Sequence, residues 1–186
     1  MRWRLWVIRL SQTTSWKLSV SGGSVARVTQ PDVGELAPDF TLPGIVVENG
    51  ETIKRHFTLS ENRGRPVVLA FYPADYSPGC TAQLCSYQDE LATFRDLGAE
   101  IWGISRQDQR SHEKFAKSKA LGFPLLADEK GDVTAAYGVG LFGMGVRRSI
   151  FIVDAEGKIA WRHVSLVGFT FQSADTLRNQ LELIAS

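Results

Sequence analysis

The chain has 186 residues, 44% of them hydrophobic and 22% charged, and its formal net charge is +1. This length and composition suit one globular domain that buries a core without disulfide or metal staples. The near-neutral charge favours no particular partner, and we expect neither a nucleic acid nor a membrane as one. The sequence contains no run of about 20 apolar residues that could span a bilayer.

The first 30 residues differ in composition from the rest of the chain. They carry basic residues and no Asp or Glu, and they contain Trp3, Trp6 and Trp16. The apolar run at 5–8 is too short for the core of a secretory signal. Residues 1–30 are therefore expected to be an extension, either a disordered tail or a targeting segment, and residues 31–186 are expected to form the domain.

From residue 65 onward, short apolar segments typical of buried strands alternate with segments whose apolar residues have helical spacing. The run at 65–73 is continuously apolar and ends at a proline, which predicts a strand buried on both faces. Residues 80–97 place Leu84, Tyr87, Leu91 and Phe94 at helical spacing. The elements predicted next are a strand at 100–105, a helix at 111–121 and a strand at 123–128.

The C-terminal third predicts a hairpin followed by a helix. Two apolar runs flank residues 155–157, where Gly157 suits a left-handed turn position. Ser173 is placed to cap a last helix that carries Leu177, Leu181 and Ile184. The glycine-punctuated loop at 138–146 resembles the mobile rim of a site but is not a phosphate-binding signature. The whole pattern indicates an α/β fold with a sheet of mixed direction.

The two cysteines, Cys80 and Cys85, lie within six positions of each other, behind a proline-rich turn. Iron–sulfur clusters and structural zinc sites need four suitable ligands. The chain adds only His56, His112 and His163, which are far apart in sequence and which we expect at the surface or at the edge of the core. We therefore expect no metal.

Helix geometry limits what the two thiols can do. Cys80 follows a strand end and Pro78, so it should lie in the first helical turn, where free backbone N–H groups and the helix dipole stabilise a thiolate. Cys85 is five residues further on, which places the two Cα atoms about 8–9 Å apart in a helix, whereas a disulfide requires less than about 7 Å. The spacing predicts either two permanently reduced thiols or a redox switch coupled to local unfolding. A buried Cys80 with a purely structural role remains an alternative at this point.

The segment FYPADYSPGCTAQLC at 71–85 resembles the active-site segment of peroxiredoxins, whose pattern is Pro-x-x-x-Thr/Ser-x-x-Cys. Here it is formed by Pro73, Ser77 and Cys80. The second cysteine, five residues later, is similar to the peroxiredoxin Q group, also called bacterioferritin comigratory protein. The stretches at 33–43 and 148–159 resemble other segments of the family, so the resemblance extends from residue 31 to the C-terminus.

The resemblance implies a thioredoxin-like fold, with a central mixed β-sheet flanked by helices. It implies that Cys80 is the peroxidatic cysteine and Cys85 the resolving one. Pro73 would shield the sulfur, and Ser77 would donate a hydrogen bond to the peroxide. Arg148 matches the active-site arginine of the family.

Two other positions bear on the assignment of the active-site residues. Arg147 precedes Arg148, and adjacent strand residues face opposite ways, so only one of the pair should point at the sulfur. The position of Gln83 is often Glu in the family.

The expected function is a thiol-dependent peroxidase for hydrogen peroxide and organic hydroperoxides. The Cys80 sulfenate would condense with Cys85 into an intramolecular disulfide, which thioredoxin would reduce without any cofactor. We expect a monomer in the cytoplasm, or in an organelle if residues 1–30 are a transit segment. A thioredoxin-like dithiol oxidoreductase is less favoured because such enzymes use C-x-x-C. A peroxide sensor that passes its oxidation to a partner would use the same residues.

Overall fold

The computed structural model describes residues 30–141, 145–165 and 170–185. Except for Gln30, the predicted extension lies outside them, so the domain boundary stays a prediction. The elements are, in chain order, β1 Thr41–Glu48, β2 Glu51–Thr58, a short 3-10 helix Leu59–Asn62, β3 Val67–Phe71, α1 Pro78–Asp89, α2 Leu91–Asp96, β4 Glu100–Ser105, α3 Gln109–Lys119, β5 Leu125–Ala127, α4 Asp132–Ala136, β6 Gly140–Leu141, β7 Gly145–Val146, β8 Ser149–Val153, β9 Ile159–Val164 and α5 Ala174–Ala185. No helix within these ranges is long and apolar enough to cross a membrane.

Seven strands form one mixed sheet in the order β2-β1-β5-β4-β3-β8-β9. The three central strands, β5, β4 and β3, are parallel to one another. The flanking strands β1 and β8 pair antiparallel to them, and β2 and β9 close the two edges. The predicted α/β fold with a central mixed sheet is therefore confirmed.

The sheet separates two apolar cores. One core packs α1, α2, α3 and α5 against the sheet and includes Cys80, Leu84 and Tyr87. The other core contains side chains of α4 and rings such as Trp102 and Tyr137. This arrangement places the N-terminus of α1 beside the carboxyl end of β3, where the loop after Phe71 leads into the helix.

Several predicted elements are confirmed in place, with shifted ends. β3 and β4 are fully buried strands apart from Glu100. Gly157 turns the β8–β9 hairpin with a φ of 81°, and the Ser173 hydroxyl caps α5 by accepting from the Thr176 amide at 3.2 Å. The predicted rim at 138–146 contains the short β6–β7 pair, and residues 142–144 lie outside the described ranges.

Two predictions about local structure were wrong. The helix expected over 80–97 is divided at Glu90, whose ψ of 9° ends α1 before α2 begins. His112 was expected at the surface or the edge of the core, but it is fully buried in α3. There it contacts the Asp75 carboxylate through Nδ1 at 2.9 Å and the Leu126 carbonyl oxygen through Nε2 at 3.2 Å, which explains how a polar ring is accommodated in the core.

Candidate active site

The segment around Ser77 begins α1. Ser77 has extended backbone angles, and its side-chain oxygen accepts a hydrogen bond from the Cys80 amide at 3.4 Å. Pro78 occupies the first helical position, where its missing N–H is not needed. Because the Ser77 oxygen acts as acceptor in this cap, its own O–H proton is available to a further acceptor near the sulfur.

Cys80 is completely buried, and Arg148 contacts its sulfur. The Arg148 side chain is 4% exposed, and Nη2 donates to Cys80 Sγ at 3.4 Å. Nη1 donates to the Gly79 carbonyl oxygen at 3.4 Å and to Gln83 Oε1. A guanidinium and a helix N-terminus both favour negative charge on the sulfur.

Strand pairing explains why Arg148 reaches this position. β8 pairs with β3 so that Ser149 lies opposite Phe71, which brings the residue before β8 to the end of β3 where α1 begins. Arg147 is half-buried, and its backbone amide donates to the Val139 carbonyl at 2.7 Å. Gly79 leaves room for the guanidinium, because a Cβ there would lie 3.1 Å from Arg148 Nη2.

Cys85 lies on the same helix but is not paired with Cys80. Both thiols are free, and Cys85 is partly buried. The first turn of α1 is closed by the Thr81 amide, which donates to the Ser77 carbonyl at 2.9 Å. Since both cysteines are within α1, helix geometry holds their Cα atoms about 8–9 Å apart, and a bond between them requires that turn to unwind.

Pro73 and Asp75 belong to the loop that joins β3 to α1. Pro73 is partly buried and directly follows the fully buried Tyr72. Asp75 anchors the loop, because its carboxylate accepts from Tyr72 Oη at 2.8 Å and from Ser111 Oγ at 2.6 Å, besides contacting His112. The loop that carries Ser77 is thus fixed to β3 and α3.

The anchor also shifts two pKa values. Burial alone would raise the pKa of Asp75, but its pKa is lowered because the hydrogen bond and charge of His112 outweigh burial, helped by Ser111 and Tyr72. Burial, followed by the nearby charge of Asp75, raises the pKa of Tyr72 well above its ordinary value. Sequence reasoning missed this group, because Asp75 and His112 are 37 positions apart and no local pattern connects them.

Sequence reasoning also missed a polar pair behind the arginine. Gln83 and Tyr87 are fully buried, and Gln83 Nε2 donates to Tyr87 Oη at 3.2 Å. Tyr87 was predicted only as part of the apolar face of the helix. Their spacing of four residues could have indicated a contact along α1.

The described residues contain no group of three or more His, Cys, Asp or Glu side chains that could hold a metal ion. What the structure brings together is a cysteine in the first turn of a helix, an arginine on its sulfur and the serine hydroxyl that caps that helix. Such a site, at the carboxyl end of a central parallel strand, is typical of a thioredoxin-like protein that carries its chemistry on a cysteine.

Comparison with known proteins agrees with this class. The AhpC/TSA family matches residues 33–162. The chain is 36% identical over 160 residues to peroxiredoxin Bcp of Bacillus subtilis (strain 168), with 81% of this chain and 98% of that protein covered. It is 38% identical over 157 residues to the chloroplastic peroxiredoxin Q of Populus jackii, with coverages of 82% and 70%.

A solved structure gives the same result. Peroxidoxin BcpB of Mycobacterium tuberculosis matches with a TM-score of 0.70 and 34% identity, over 84% of this chain and 100% of that one. The chain therefore belongs to the AhpC/TSA family. Its predicted resemblance to the peroxiredoxin Q and bacterioferritin comigratory protein group is confirmed, and so is the thioredoxin-like fold.

Proposed function

We propose that this protein is a peroxidase that reduces hydrogen peroxide and organic hydroperoxides with the thiol of Cys80. The observation that carries the proposal is the contact of 3.4 Å between Arg148 Nη2 and Cys80 Sγ, at the start of a helix capped by Ser77. A thiol used only for packing has no need of a buried cation on its sulfur.

In the first step the Cys80 thiolate attacks one oxygen of the peroxide in line with the O–O bond. That bond breaks, the sulfur becomes a sulfenic acid, and the other oxygen leaves as water or an alcohol after taking up a proton. Two electrons pass from the sulfur to the peroxide, so no metal, flavin or haem takes part.

Fixed donors meet the charge that develops on the oxygens. Arg148 presents its guanidinium beside the sulfur, and the Ser77 hydroxyl, whose oxygen accepts from the Cys80 amide, has a proton to donate. Pro73, on the loop that leads to Ser77, limits access of water to the sulfur. These groups are the proposed catalytic set, together with Cys80 and Cys85.

In the second step Cys85 resolves the sulfenic acid. The first turn of α1 unwinds, the Cys85 sulfur attacks the Cys80 sulfur, and a disulfide forms with loss of water. Because both cysteines belong to one helix of one chain, the step needs no second subunit, and we propose a monomer of the atypical two-cysteine type.

In the third step thioredoxin, or a similar dithiol, reduces the Cys80–Cys85 bridge by thiol–disulfide exchange and is itself oxidised. The four residues between the cysteines distinguish this pair from the C-x-x-C of dithiol oxidoreductases. Two free thiols are kept reduced most readily in a reducing compartment, so we propose the cytoplasm, with organelle import if residues 1–30 direct it.

Titration with hydrogen peroxide, followed by intact-mass analysis, tests this function. One equivalent should remove two hydrogens from each monomer, and Cys80→Ser should abolish peroxide consumption. Cys85→Ser should keep the first oxidation but stop recycling by thioredoxin. Undiminished turnover of Cys85→Ser with thioredoxin would contradict the two-cysteine scheme, and reduction of insulin disulfides without peroxide would favour a dithiol oxidoreductase.

A further inference from the structure

A series of buried hydrogen bonds extends from Arg148 to the backbone just before α5. Arg148 Nη1 donates to Gln83 Oε1, and Gln83 Nε2 donates to Tyr87 Oη at 3.2 Å. The Tyr87 hydroxyl then donates to the Gln172 carbonyl oxygen at 2.8 Å. The arginine on the sulfur is thus connected to a backbone position 85 residues beyond Tyr87.

The donors and acceptors in this series allow only one orientation of each group. A guanidinium can only donate, so the Gln83 amide must turn its oxygen toward Arg148 and its nitrogen toward Tyr87. The Tyr87 oxygen accepts that bond, and its single proton goes to a carbonyl that can only accept. Burial raises the pKa of Tyr87 well above its ordinary value, so the hydroxyl keeps this proton at neutral pH.

We propose that Tyr87 is a positioning residue for the oxidation of Cys80, because its hydroxyl fixes the Gln83 amide that holds the Arg148 guanidinium on the sulfur. Tyr87 has no contact with the reacting atoms and acts through Gln83 and Arg148. The proposal rests on the proposed function and assigns to it a residue that lies outside the set Pro73, Ser77, Cys80, Cys85 and Arg148.

The same bonds oppose the second step of the reaction. Gln83 lies between the two cysteines in α1, and the bridge cannot form while that part of the helix is intact. The bonds of Gln83 to Arg148 and Tyr87 anchor the segment between the two cysteines, so they resist its unwinding. Loss of the Tyr87 hydroxyl should slow oxidation of Cys80 and speed closure of the disulfide, two effects of opposite sign.

Tyr87→Phe removes the hydroxyl alone, and Tyr137→Phe is its matched control. Tyr137 is also fully buried and also donates to a backbone carbonyl, that of Pro38 at 3.0 Å, but it lies in the core on the other face of the sheet. Circular dichroism and urea unfolding establish that both variants are folded.

The two steps are measured separately. The rate constant for oxidation by hydrogen peroxide is measured in a Cys85→Ser background. The sulfenic acid is trapped with dimedone at successive times, and the adduct is quantified by mass spectrometry. Disulfide closure is followed as the loss of two hydrogens in the chain with both cysteines. Tyr87→Phe should lower the first rate about threefold to tenfold, the range of one ordinary hydrogen bond, and raise the second, while Tyr137→Phe changes neither.

A second variant tests whether Tyr87 acts through Gln83. In a Gln83→Leu background the further change Tyr87→Phe should leave the oxidation rate unchanged, because the amide it positions is gone. Equal rates for Tyr87→Phe and Tyr137→Phe in both steps would overturn the inference while leaving the peroxidase function intact. The inference would also be overturned if Tyr87→Phe lowered the oxidation rate by the same factor in the presence of Gln83 and in the Gln83→Leu background. Failure of the unmodified Cys80 to form a sulfenate would instead refute the proposed function, and this inference with it.

Discussion

Replacing Arg148 with methionine removes the positive charge at the Cys80 sulfur but keeps an unbranched side chain. In the structure Nη2 lies 3.4 Å from Sγ, and the guanidinium is almost completely buried. Loss of one preorganised donor that meets developing charge lowers the rate of a catalysed step roughly 100-fold to 1,000-fold, or about 2.7–4 kcal/mol. We expect Arg148→Met to fall within this range, because a buried charge is poorly screened by water.

The assay is the rate constant for oxidation of Cys80 by hydrogen peroxide, with unfolding by urea measured in parallel. The adjacent Arg147→Met provides the control, since the hydrogen bond to the sulfur comes from Arg148, whereas Arg147 is held through its backbone amide. The Arg148 variant also leaves the Gln83 oxygen without its donor, which should cost about 1–3 kcal/mol of stability. A decrease of less than about tenfold, or an equal decrease in Arg147→Met, would contradict the role given to Arg148.

Three further changes test the surroundings of the site. Asp75→Asn should lower the free energy of unfolding at neutral pH by about 1–3 kcal/mol, because it removes the buried carboxylate to which Tyr72, Ser111 and His112 are hydrogen-bonded. The pKa of Asp75 is lowered in the folded state. The ionised carboxylate therefore stabilises the fold at a pH above its unfolded pKa of about 4, and this stabilisation is lost as the pH falls through the folded pKa. Urea unfolding of the variant at a series of pH values should lack this loss on the acid side. Ser77→Ala should cost about 1 kcal/mol of stability through loss of the cap and slow oxidation, whereas Ser77→Thr, measured in the same assays, keeps both. Gly79→Ala should slow oxidation several-fold, because a Cβ would crowd Arg148 Nη2 at 3.1 Å. Urea unfolding should show no loss of stability, since alanine favours the helix by about 1 kcal/mol. An unchanged oxidation rate would refute that crowding.

Much of the fold could be predicted because its signals are local. β3 and β4 are buried on both faces and read as uninterrupted apolar runs. The turn at Gly157 and the cap at Ser173 each depend on a few adjacent residues. The start of α1 follows equally from Pro78 and the end of the preceding strand, so the sequence is sufficient to place Cys80 in the first turn.

The hairpin of β1 and β2 was not predicted, because its sequence lacks a clear strand signal. β1 contains Pro43 and Gly44, and β2 is an edge strand with mostly exposed residues, so neither is a plain apolar run. The break at Glu90 escaped notice since the apolar spacing continues through it from Tyr87 to Leu91.

The contacts that complete the site connect residues distant in sequence. Arg148 lies 68 positions from Cys80 and 65 from Gln83. Residue spacing alone could not select Arg148 as the partner of the sulfur, and that prediction depended on the resemblance to peroxiredoxins. The strand pairing that places it there is a property of the folded sheet.

The central claim is that Cys80 reacts inside an intact helix and reaches Cys85 only after the first turn of that helix unwinds. Amide hydrogen exchange, compared between the fully reduced protein and the form oxidised by one equivalent of peroxide, measures this directly. The amides of residues 81–85, which donate hydrogen bonds into the first turns of α1, should lose protection on oxidation while those of β3 keep it. An oxidised protein that has lost two hydrogens but retains full protection in α1 would contradict the account.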